Sequence, residues 1–106
     1  MSIQAEEIAE VFRQALRGEI AVKVEGDKSW SDVYCGNVEF MFGDWRIVVF
    51  NDCWEFDYVD EVTAPDGRHA EFDDWGLDAD PIALLTMEEL AAMENLVEGL
   101  TVEVKT

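Results

Sequence analysis

Two alternating apolar runs meet at Gly43-Asp44: Val38, Phe40 and Phe42 precede the pair, and Trp45, Ile47 and Val49 come after it. A two-residue loop there sets Phe42 against Trp45, Phe40 against Ile47 and Val38 against Val49. A slip of one residue would turn the whole apolar set to the opposite face, so this hairpin constrains the fold more tightly than any other stretch. A second reversal near Asp52-Cys53 sets Val49 against Phe56 and Ile47 against Tyr58. One face of the resulting meander then reads Val38, Phe40, Phe42, Trp45, Ile47, Val49, Trp54, Phe56 and Tyr58. Ala64-Pro65-Asp66-Gly67 has proline second and glycine fourth, as a tight turn requires, and it returns the chain through His69 to Phe72 as a further strand.

Helical spacing flanks the meander. Ile8, Val11, Phe12, Ala15 and Leu16 share one face, with Ser2 as a cap, Glu6 and Glu7 early, Arg13 and Arg17 late, and Gly18 as the stop. This predicts a helix over about 3–17, followed by a short strand over Ile20 to Val24. Asp80-Pro81 reads as a cap and first-turn proline for a short helical turn through Leu85. Thr86 with Glu89 forms a capping box for a second long helix, its face Met87, Leu90, Met93, Val97 and Leu100. Thr101 to Lys105 is a candidate last edge strand. The prediction is one α+β domain over residues 1–106: an antiparallel β-meander of about four strands with an N-terminal and a C-terminal helix packed on one face.

Charge narrows the function. The chain has 25 Asp and Glu against seven Lys and Arg, a formal net charge of −18. Spread evenly over about 6,000 Å², those charges would lie roughly 18 Å apart, beyond a Debye length of about 8 Å. They are not spread evenly. Between Asn51 and Asp80 there are eleven acids and one base, Arg68. Such a field disfavours direct contact with nucleic acid or an anionic membrane, and favours a protein partner with a basic surface.

On the sheet's second face this reading places Glu39 and Met41, then Arg46, Val48 and Phe50, then Glu55, Asp57, Val59 and Glu61, with acids 55, 57 and 61 in a row. The candidate protein-binding residues are Glu39, Glu55, Asp57, Glu61, Asp73, Asp74 and Trp75, with Trp30 as a second rim anchor or core cap. The function expected is a small non-catalytic module that inhibits or regulates a protein whose basic surface resembles a nucleic-acid groove. The alternatives are a small enzyme using a Cys53–His69 pair and a homo-oligomeric structural protein, including a homodimer.

Chemistry-bearing motifs are few. Cys35 and Cys53 are too few for a disulfide framework and read as small buried hydrophobes. Carboxylates around Cys53 would suppress its thiolate. Asp73, Asp74, Asp78 and Asp80 are oxygen donors without EF-hand spacing, and read as an acidic loop. No catalytic residue, cofactor or metal is expected. The N-terminal Met-Ser-Ile-Gln-Ala-Glu-Glu lacks the basic start and apolar run of a secretory signal, which predicts cytoplasmic location with reduced thiols.

The run Trp30, Val33-Tyr34-Cys35-Gly36, Val38, Trp45, Phe50-Asn51-Asp52-Cys53, Asp57-Tyr58 and Ala64-Pro65-Asp66-Gly67-Arg68, with Asp80-Pro81 and Leu84-Leu85, resembles a family of short bacterial proteins. That family is pseudomonad in type and labelled a domain of unknown function. The resemblance covers roughly residues 30–86, implies a helix on either side, and brings no catalytic residue or cofactor with it.

Overall fold

The computed structural model describes residues 3–100. Helix α1 runs over Ala5–Leu16, strand β1 over Val22–Val24, β2 over Cys35–Phe42, β3 over Trp45–Asp52, β4 over Glu55–Thr63, β5 over His69–Glu71, and helix α2 over Met87–Glu98. Short 3₁₀ turns occupy Trp30–Asp32, Phe72–Asp74, Leu77–Ala79 and Pro81–Leu84. The sheet is antiparallel throughout, in the order β1-β2-β3-β4-β5. It has five strands rather than about four, because Val22 and Val24 pair with Phe42 and Phe40 and bring β1 onto the edge.

The first hairpin has the register expected, with Phe42↔Trp45, Phe40↔Ile47 and Val38↔Val49. Helix α1 starts later than expected, at Ala5. The Gln4 N–H donates to the Glu7 carboxylate at 2.8 Å, and Ile3 is buried against the core instead of helical. Ser2, the expected cap, and the candidate strand over 101–105 lie outside the described residues. Thr86 caps α2 as expected: Glu89 N–H donates to its hydroxyl at 3.1 Å, and the Glu89 carboxylate accepts from Thr86 N–H at 2.9 Å. Arg13 on α1 also donates to Glu89, and together with the cap holds that carboxyl down at about 2. This pair ties the two helices together.

The second hairpin departs from the sequence reading. Its turn is Cys53-Trp54, both with positive φ, as a two-residue type I′ connection requires. Strand β4 then carries two bulges, giving Asn51↔Phe56, Phe50↔Tyr58, Val49↔Val59, Val48↔Glu61 and Ile47↔Val62. Each inserted residue reverses the facing of the strand beyond it. Phe56, Val59 and Val62 therefore line the core, while Tyr58 turns outward and Trp54 sits exposed in the turn. Strict alternation had put Trp54 and Tyr58 inside and Val59 outside. The core spacing of β4 is three residues, not two.

One core joins this sheet face to the apolar faces of both helices. Phe12 of α1 meets Phe42 and Phe56 edge-on at 5.2 and 5.5 Å, and Met93 and Val97 of α2 are buried in the same cluster. Trp30 lies fully buried beside Phe56, as a core cap and not a rim anchor. Met87, expected on the inner face of α2, is 88% exposed.

Candidate functional site

The bulges relocate the acids of β4. Glu55 and Asp57 line a cleft of about 570 Å³, bounded by the start of β4, the Pro81–Leu84 turn and α2. Asp80, Leu85, Met87, Leu90 and Glu94 complete its walls. The cleft therefore combines four carboxylates with an apolar rim.

Two of those carboxylates are already hydrogen-bonded to backbone. Asp80 is 1% exposed and accepts from Val59 N–H with both oxygens at 3.1 Å and from Ile82 N–H at 3.0 Å. It is thus the N-cap read from the sequence, and it also holds a bulged stretch of β4. Burial pushes its carboxyl up to about 6, against the lowering effect of the Ile82 and Val59 N–H groups. Glu94 accepts from Phe56 N–H at 3.0 Å. Glu55 and Asp57 remain exposed at the mouth, and partial burial with the nearby Asp52 charge pushes Asp57 up.

The expected row of 55, 57 and 61 on the outer face is not formed, since Glu55 and Asp57 border the cleft. Glu61 does lie on the outer face, but there Arg46 binds both Glu61, at 2.7 Å, and Glu39. These two candidate residues are neutralised in part by one cation. Beside that clamp Phe50 stacks on Tyr58 at 5.0 Å, and Tyr58 meets Phe72 at 4.6 Å.

The loop after β5 is also more constrained than its composition implied. Asp74 accepts from Glu71 N–H at 2.8 Å, while Asp73 and Asp78 are exposed. Trp75 is half-buried against the core and its indole N–H donates to Ile3 C=O at 3.1 Å, so it is a core cap. The loop aspartates do not converge. Among the described residues, only Glu61, His69 and Glu71 bring three metal-ligating side chains together. The Ala64–Gly67 turn signals that trio, because it fixes Thr63↔His69 and hence Glu61↔Glu71.

A family model described as a domain of unknown function, DUF7693, matches residues 2–99. The chain belongs to this family. The matched span contains both helices, all five strands, the acidic cleft and the Arg46 clamp, so these features lie within the family's domain. No curated protein and no solved structure matches the chain. No helix among the described residues is long and apolar enough to cross a membrane.

Both cysteines are exposed, which corrects the expectation of small buried hydrophobes. They flank an exposed aromatic pair, Tyr34 and Trp54, in edge-to-face contact at 4.9 Å. The neighbouring Cys53 thiol pushes the Tyr34 phenol up. Cys53 and His69 stand near opposite ends of β4, which at about 3.3 Å per residue separates them by roughly 25 Å, so no Cys–His dyad exists. Exposure predicts that both thiols titrate with a disulfide reagent without denaturant. A chain yielding fewer than two reactive thiols would contradict this arrangement.

Proposed function

We propose that the protein is a non-catalytic binding module that holds a basic segment of another protein in the acidic cleft around Glu55 and Asp57. One observation carries this reading. All four arginines are held in ion pairs within the chain, whereas only Glu61 and Asp66 of the eleven acids between Asn51 and Asp80 take part in any described ion pair. Glu55 and Asp57, exposed and in no described ion pair, are thereby available to a basic partner. The exposed Met87 and the half-buried Leu85 and Leu90 beside those carboxylates favour a segment with apolar residues between its lysines and arginines. A groove that holds a phosphate backbone in other circumstances has the same basic chemistry.

The test is a cross-linking capture with wild-type protein and with Glu55→Lys/Asp57→Lys, each captured partner then being purified and titrated. The reversal should weaken binding at least tenfold, as loss of close charge pairs does, while the thermal midpoint stays within a few degrees. Raised salt should weaken the wild-type complex in the same sense. Equal affinity for both proteins would overturn the reading.

A further inference from the structure

We propose that Glu61, His69 and Glu71 form a binding site for a divalent transition-metal ion of the zinc class. The three side chains stand on the outer face of β4 and β5, away from the cleft, so the site is independent of the binding reading above. One ligand atom from each lies within 4.8 Å of the others. Donors around a tetrahedral ion with bonds of about 2.1 Å sit roughly 3.4 Å apart, a closure that small side-chain rotations at an exposed site supply.

The strand register adds an independent reason for a cation. Glu61 and Glu71 are direct cross-strand partners, an arrangement of like charges that destabilises a pair. It occurs where β5 is only three residues long and has least pairing to spare. No described ion pair includes Glu71. A dication between the two carboxylates turns that repulsion into a bridge from the edge strand to its neighbour.

The surroundings orient the ligands. Thr63 Oγ1 lies 3.0 Å from His69 Nδ1, and Nε2 takes no part in any described hydrogen bond. Arg46 Nη1 holds Oε1 of Glu61 at 2.7 Å, leaving Oε2 for a metal. A histidine and a carboxylate each fixed by an outer partner are the usual construction of a metal site. The imidazole sets the class: one nitrogen and two carboxylates suit zinc, cobalt or manganese, whereas calcium and magnesium prefer oxygen alone. Three protein ligands leave further positions for water.

The test uses the full chain carrying Cys35→Ser and Cys53→Ser, which removes the exposed thiols as competing ligands. Titration calorimetry with zinc alone, near neutral pH, should show one equivalent bound with micromolar affinity, and calcium should not compete. His69→Ala and Glu71→Gln should each weaken zinc at least tenfold, and Thr63→Val by a smaller factor, with unchanged metal-free circular dichroism. Cobalt should give a visible absorption band that His69→Ala abolishes. Zinc affinity within twofold of the parent in both ligand variants, or no saturable binding in the parent, overturns the site.

Discussion

Asp80→Ala should destabilise the fold by about 2–3 kcal/mol, read as a lower midpoint of urea unfolding with little change in slope. The side chain is 1% exposed, and its removal leaves the N–H groups of Val59 and Ile82 without their acceptor. One of these opens the Pro81–Leu84 turn, and the other belongs to the bulged part of β4, where strand pairing alone does not satisfy the backbone. Asp80→Asn retains an acceptor and should cost less. The two variants also separate the hydrogen bonds from the charge.

The sign of the pH effect is set by burial. The folded carboxyl, at about 6, lies above its ordinary value of 3.8, so the native state binds this proton more tightly than the unfolded chain does. Asp80 therefore contributes stability below its unfolded pKa, and that contribution is lost as pH rises from 3.8 through about 6. Asp80→Asn removes this dependence. Its stability relative to wild type should be poorest near pH 4 and improve toward pH 7. A difference that is flat with pH would show that burial does not raise the carboxyl.

Asn51→Ala should be at least as damaging, at about 3–4 kcal/mol. Asn51 is fully buried, its Nδ2 donates to the carbonyls of Trp30 at 3.1 Å and Val33 at 2.7 Å, and its Oδ1 accepts from Trp54 N–H at 2.6 Å. One side chain thus joins the Trp30–Asp32 turn to the second hairpin. That hairpin needs the support, because Cys53 and Trp54 both adopt positive φ without being glycine, asparagine or aspartate. Asn51→Asp keeps the acceptor but loses both donors, and should recover little of the loss. A drop below about 1 kcal/mol for alanine would mean the loop holds its place without this residue.

These residues show where the sequence was legible. The Gly43-Asp44 hairpin, the Ala64–Gly67 turn and the Thr86 capping box were readable because each depends on a few adjacent residues whose preferences agree. The bulges were not, because an inserted residue leaves no mark on composition and changes only the spacing, seen afterwards as Phe56, Val59 and Val62. The error then passed from register to site: an alternating β4 aligns Glu55, Asp57 and Glu61, whereas the bulged strand divides them between a cleft and a clamp. Arg46 could not be assigned to Glu39 and Glu61 from sequence, since long side chains pair across strands only once the register is known. The cysteines misled because average burial of a residue type says little about the end of a strand, where Cys35 sits, or a turn, where Cys53 sits.

The sheet ends on both sides in strands of three residues, β1 and β5. Each covers only part of its longer neighbour, since β1 pairs with residues 40–42 of β2 and β5 with residues 61–63 of β4, and Lys23 and Glu71 place exposed charge on these short strands. Strand addition along β1 or β5 themselves would gain few backbone hydrogen bonds and would meet that charge, which disfavours a peptide or a second copy of the chain on these two strands.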